Sequence, residues 1–142
     1  MSQDLIAQAT ISIAAPKSEV WNALVSPAAI RQYMFGTEVV STWKKGSPIT
    51  WEGEWEGKHY KDKGVILENQ RETQLRYTHW SPNSGVPDRP ENYHTVAIEL
   101  EDEGDETRVT LTQDNNPTDQ DRIHSEKNWG MMLGALKKYL ET

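Results

Sequence analysis

Tyr77 and His79 are the two side chains whose types and spacing lend themselves most readily to chemistry. In the run Leu75-Arg76-Tyr77-Thr78-His79, alternate residues of a strand share one face, so Leu75, Tyr77 and His79 point the same way. A neutral imidazole with a phenol beside it can polarise a carbonyl or move a proton. The plainer alternative is a hydrogen-bonded histidine closing the end of a sheet, and the general rarity of site histidines favours it. His59, His94 and His124 stand at no ligand spacing to one another. Glu126 follows His124 by two residues, which turns it to a different side of a helix. No metal site is expected. The absence of cysteine excludes a thiol nucleophile, a zinc finger and a disulfide framework. Phosphate loops, nucleophile elbows and dinucleotide fingerprints are missing too. No catalytic residue and no cofactor are therefore assigned.

Binding is the second kind of chemistry to weigh. Trp51, Trp55, Tyr77, Trp80 and Trp129 form an aromatic group that either lines an apolar pocket or fills an ordinary core. In Trp51-Glu52-Gly53-Glu54-Trp55 the tryptophans and the glycine share one face, and the acids share the other. Gly53 leaves a gap between two bulky rings, and such a gap admits a ligand or the close approach of another element. The expected ligand-binding set is Trp51, Gly53, Trp55, Tyr77, His79, Trp129 and Leu133. Trp80 has the opposite parity to Tyr77 and is expected to face a loop. Glu52, Glu54 and Glu56 read as a solvated outer face, since catalytic carboxylates must converge in space and parity alone does not bring them together.

Elements have to position these residues, and the most legible is the segment Thr118–Thr142. Ile123, Trp129, Met132, Leu133, Leu136 and Leu140 read as one helical stripe. Thr118 or Asp119 suits the N-cap, and Lys137 and Lys138 suit the negative end. Such a helix is roughly 35 Å long at 1.5 Å per residue and must lie on something large and apolar. Gly130 and Gly134 weaken it, so close packing or space for a ligand beneath is expected in compensation. Upstream, residues 4–14 read as a strand with Ala9, Ile11 and Ile13 inward. Two short helices follow, one opened by Pro16 with Val20, Trp21 and Leu24 inward, the other opened by Pro27 with Ile30, Tyr33 and Met34 inward. Strands are then expected over 37–43, 49–55, 58–68 (Val65 and Leu67 inward), 73–80, 93–101 and 106–113. The Pro- and Gly-containing stretch 81–92 reads as a loop. Tight turns between successive strands imply antiparallel pairing. One polar and one apolar sheet face need a single cover, which the last helix supplies.

Composition bounds the rest. At 142 residues the chain suits one domain, 1–142, with a real core. A formal net charge of −7 argues against nucleic acid or anionic membranes as partners. Six Trp and five Tyr against one Phe make the apolar surface bulky, with polar tips. The N-terminus lacks the pattern of a signal peptide and no run is long enough to span a membrane. A cytoplasmic location is expected.

The order of elements resembles the helix-grip fold of the START-like (SRPBCC) superfamily, to which the birch-pollen allergen belongs. Within it, the chain resembles homologues of the heat-shock-protein-90 ATPase activator. The residues that carry this are Ile11-Ser12-Ile13-Ala14-Ala15-Pro16 leading to Val20-Trp21-Asn22-Ala23-Leu24, then Gly64-Val65-Ile66-Leu67-Glu68, Leu75-Arg76-Tyr77-Thr78-His79-Trp80, and Trp129 with Leu133, Leu136, Lys137 and Leu140. One departure is that the family often has Gly just before the helix Trp, whereas Asn128 stands there and Gly130 follows. The resemblance implies an α+β fold, with a curved antiparallel sheet wrapped around a long C-terminal helix and a cavity between them. It implies no particular reaction, because members include carriers, cyclases and chaperone cofactors. The expected function is therefore a small binding module for an apolar or aromatic small molecule, as monomer or dimer. An enzyme of the cyclase or hydrolase kind, using His79 and Tyr77, is the alternative. A chaperone adaptor ranks third, because by the resemblance full-length activators carry a further N-terminal domain that is not read here.

Overall fold

The computed structural model describes residues 5–141, and of Trp55 the backbone only. Asp4 and Thr142, the outermost residues of the expected first strand and last helix, lie outside the described residues. The chain runs β1 (Leu5–Ile13), α1 (Lys17–Leu24), α2 (Pro27–Tyr33), β2 (Glu38–Ser41), β3 (Pro48–Trp55), β4 (Lys58–Gln70), β5 (Gln74–His79), β6 (His94–Asp102), β7 (Thr107–Asn116) and α3 (Asp119–Glu141). All seven strands join one curved antiparallel sheet in the order β1-β7-β6-β5-β4-β3-β2. With the long last helix packed on it, this is the helix-grip architecture.

Local chemistry accounts for the element ends. Glu56 and Gly57, at φ 52° and 79°, form the two-residue turn that pairs Trp55 with Lys58, a primed hairpin turn needing positive φ at both positions. Ser26 caps α2 by accepting from the Ala29 amide at 3.2 Å, with Pro27 at the first helical position. Thr118 caps α3: its hydroxyl accepts from the Asp121 amide at 3.1 Å and donates to the Asp121 carboxylate at 2.9 Å.

The core is one cluster. Val20, Trp21 and Leu24 of α1 and Ile30 and Tyr33 of α2 meet Leu75, Val96, Ile98, Leu100, Val109 and Leu111 of the sheet, with Met132, Leu133 and Leu136 of α3 above them. Two expectations about facing need correction. Ile66, not Val65, is buried on β4, and Val65 is exposed. Val65-Ile66-Leu67 is a continuous apolar run and carries no parity of its own; a register shift between Ile66 and Glu68 further disturbs the alternation there. Ile123 is 54% exposed. Six residues separate it from Trp129, about 600° of rotation at 100° per residue, which sets it on another face of α3.

α3 lies chiefly along β1, an edge strand whose outward backbone groups need partners. The helix supplies them. Glu126 accepts from the Gln8 amide at 3.1 Å, Glu141 accepts from the Ala14 amide at 2.7 Å, and the Lys137 ammonium donates to the Ser12 carbonyl at 2.7 Å. Lys137 also pairs with Glu141 at 2.7 Å. The Ala14 amide and the Lys137 ammonium together hold the Glu141 carboxyl below its ordinary pKa.

Gly130 and Gly134 neither pack closely nor overlie a ligand space. A β-carbon built on either meets nothing within 4 Å, so the expected compensation is absent. Gly130→Ala and Gly134→Ala are each expected to stabilise the protein by about 0.5–1 kcal/mol, read as a rise in the urea midpoint. Leu136, fully buried under α3, gives the opposite result. Leu136→Ala is expected to cost about 2–5 kcal/mol in the same melts, and a loss below about 0.5 kcal/mol would mean that the core does not depend on this face.

Candidate functional site

An open cleft of about 720 Å³ lies between the first half of α3 and the inner face of β3, β4 and β5. Trp51, Tyr77, His79 and Trp129 line it together, although they come from three separate elements. Trp51 is the centrepiece, its ring 5.1 Å from the Tyr77 ring and 5.1 Å from the His79 ring. Met34 and Phe35, just past the end of α2, and Met131 and Met132 of α3 add apolar wall, while Thr37, Glu56, Lys58, His124 and Ser125 add polar lining.

Leu133 and Gly53 stand elsewhere, and the side chain of Trp55 lies outside the described residues. Leu133 is buried in the core and does not line the cleft. Gly53 pairs with Tyr60 across the β3–β4 hairpin, and the gap it leaves is taken by that ring: a β-carbon on Gly53 would sit 2.8 Å from the Tyr60 hydroxyl oxygen. Trp55 ends β3 opposite Lys58. Trp80 faces the loop, its indole N–H donating to the Val86 carbonyl at 3.2 Å and its ring stacked on Tyr93 at 6.3 Å. Ser81 and Asn83, at the start of that loop, reach the cleft rim.

Several polar residues that sequence reasoning missed also converge here. Asp62 of β4 lies 2.8 Å from His79, Oδ2 to Nε2, with side chains only 16% and 28% exposed. A carboxylate only accepts, so Nε2 carries the hydrogen of this bond, and in the neutral ring Nδ1 keeps its lone pair. Asp62 Oδ1 is buried without a hydrogen-bond partner. Beside His79, at 6.3 Å, lies the His94 ring, whose Nδ1 donates to the Asp114 carbonyl at 2.9 Å. Gln113 of β7 accepts from the Trp129 indole at 2.5 Å and so orients that ring over the cleft. The Tyr60 hydroxyl meets Thr37 at 2.5 Å. Among the described residues, no group of three or more His, Asp or Glu side chains is placed to hold a metal ion, and no helix is long and apolar enough to cross a membrane.

Register explains why Asp62 was not foreseen. Lys63 pairs with Trp80 through two backbone hydrogen bonds of 2.9 and 2.8 Å, which sets Asp62 diagonal to His79, within reach of a short side chain. Gly64 permits this approach, since a β-carbon there would lie 1.7 Å from the Thr78 carbonyl oxygen. Asp62 stands in a charged run, Lys58-His59-Tyr60-Lys61-Asp62-Lys63, that reads as solvated until its partner strand is known.

Comparison with known proteins assigns the lineage. The family model described as Activator of Hsp90 ATPase homolog 1-like protein matches residues 14–141. The chain belongs to that family. Among solved structures, the solution structure of ChR145 from Cytophaga hutchinsonii is 54% identical, with a TM-score of 0.87 over 99% of this chain and 97% of that one. DynU16, from the dynemicin biosynthetic locus, shares the fold at 18% identity and a TM-score of 0.81 over 96% of this chain, which spans about half (47%) of that one. The Aha1 dimer from Colwellia psychrerythraea shares it at 18% identity and a TM-score of 0.74 over 96% of each chain. No curated protein matches.

Burial pushes the Tyr77 and Tyr33 hydroxyls far above the ordinary tyrosine value of 10.0. A raised folded-state pKa gives stability that is fully present below pH about 10 and is lost as the pH rises beyond it. The expected outcome is a two-stage absorbance titration, with Tyr33 and Tyr77 ionising only as the protein unfolds in alkali. Tyr77→Phe should shift that unfolding to higher pH. Complete tyrosine titration near pH 10 in the folded protein would contradict the burial described.

Proposed function

We propose that this chain, acting as one domain, binds an aromatic or largely apolar small molecule in the cleft beneath α3. The observation that carries the reading is that Trp51, Tyr77, His79 and Trp129 converge on one open space of about 720 Å³, beside the packed core cluster. That volume lies within the range of small-molecule sites, which are concave, mostly apolar and equipped with a few placed polar groups. Met34 and Met132 give the wall some adaptability. The polar groups at one end orient a ligand that carries a carbonyl or hydroxyl. The family's description names a chaperone ATPase, but a small molecule accounts for a ring-lined cleft more directly than a protein surface does. The absence of cysteine is compatible with a cytoplasmic setting.

Titration with flavonoids, fatty acids and polyketide-like aromatics, followed by tryptophan emission, tests this. Binding at micromolar Kd, about −8 kcal/mol, is expected for at least one aromatic member. Asn128 lines the cleft from an exposed position on α3. Asn128→Phe is expected to weaken binding about tenfold, or 1.4 kcal/mol, without loss of stability. Affinities no better than about millimolar across the panel, or equal binding by Asn128→Phe, would overturn the reading.

A further inference from the structure

We propose that the cleft is also a proton-transfer site for an aromatic ketone, with His79 as the base, Tyr77 as the hydrogen-bond donor to the carbonyl oxygen and Asp62 as the residue that positions His79. The inference rests on the binding reading above and adds chemistry to it.

Four observations carry it. Asp62 Oδ2 holds His79 Nε2 at 2.8 Å, which fixes the tautomer and aims the basic Nδ1 away from the carboxylate. That Nδ1 has no partner among the described residues and is not among the buried unpaired atoms, so it is open to a ligand in the cleft that His79 lines. The Tyr77 hydroxyl likewise has no hydrogen-bond partner among the described residues, and it lines the same cleft two residues along the same face of β5. Trp51 packs against both rings at 5.1 Å and lines the same cleft, which gives an aromatic ligand an aromatic wall. Burial keeps Tyr77 protonated, so it donates a hydrogen bond and does not compete as a base.

The step balances within the cleft. The C–H bond next to the carbonyl breaks, and its proton goes to His79 Nδ1. The electron pair forms the carbon–carbon double bond of an enolate as the carbonyl π pair moves to oxygen, where the Tyr77 hydroxyl stabilises it. The imidazolium formed is balanced by the Asp62 carboxylate. Reversal returns a proton to the same carbon, and in D2O a deuteron. No oxidant, reductant or metal ion enters.

The probe is 2-tetralone, a bicyclic aromatic ketone. Its binding is read by tryptophan emission, and its exchange next to the carbonyl is read by proton NMR in D2O. Submillimolar binding with exchange clearly faster than in buffer is expected. His79→Ala and Asp62→Asn, each measured at saturating ketone, should slow the protein-dependent exchange about a hundredfold. Tyr77→Phe, which removes one oxygen and keeps the ring, should slow it at least about tenfold. Nitrogen-15 NMR should find the His79 hydrogen on Nε2 in the parent. In Asp62→Asn it should move to Nδ1, because the asparagine amide can donate to Nε2; a purely structural Asp62 would leave the tautomer unchanged. Binding without accelerated exchange, or exchange unchanged in His79→Ala, overturns the proton-transfer site and leaves the binding module standing. A parent His79 carrying its hydrogen on Nδ1 overturns it as well. Failure of 2-tetralone to bind removes the binding reading for aromatic ketones and this inference with it.

Discussion

The attachment of α3 to the free edge of β1 sets the shape of everything else. An edge strand presents unpaired amides and carbonyls, and here Glu126, Lys137 and Glu141 meet the outward groups of Gln8, Ser12 and Ala14. These bonds are partly exposed, and each is individually modest. Their effect is geometric. They tie the helix to one side of the sheet, where Leu133 and Leu136 seal the core, and they keep it from settling over β3–β5. The cleft is the space left under the first half of that helix.

The cleft's two ends differ because different parts of the chain supply them. Trp129, oriented by Gln113, and Trp51 bring flat apolar surface. β4 and β5 bring the Asp62–His79 pair, which exists only because Gly64 lets the strands approach at Thr78. A buried carboxylate oxygen without a partner is uncommon in a native interior, and Asp62 Oδ1 is one. Retaining it beside a histidine with a free ring nitrogen makes this end of the cleft chemically distinct from the core around it. The Tyr60–Thr37 contact closes the far side of the β3–β4 hairpin. It also explains why the glycine opposite Tyr60 is not an empty space.

Much of the architecture was legible in the residues themselves. Period-two alternation placed Leu75, Tyr77 and His79 on one face, because side-chain direction in a strand is a local property. Period 3.6 placed Met132, Leu133 and Leu136 under α3 for the same reason. Pro16, Pro27 and Thr118 marked helix starts because their preferences are set by backbone chemistry within a few residues. The order of these elements carried the resemblance to the helix-grip fold, and the motifs at 11–16, 64–68 and 75–80 and at Trp129 carried the resemblance to the family.

What only the tertiary structure decided is whatever depends on register and on filling of space. The run Val65-Ile66-Leu67 has no internal parity, so pairing with β5 alone determines that Ile66 faces in. Gly53 reads locally as a gap, yet the residue across the hairpin fills it. Asp62 looks like one more solvated charge until the Lys63–Trp80 pairing sets it against His79. Leu133 and Trp129 belong to one helical stripe, and which of them meets the core and which the cleft depends on where the helix is fastened. The sequence by itself determined the elements and their buried faces, since those follow from the local directions of side chains. Only the folded chain decided where a cavity remained and which polar groups met in it, because both depend on contacts between residues far apart in sequence.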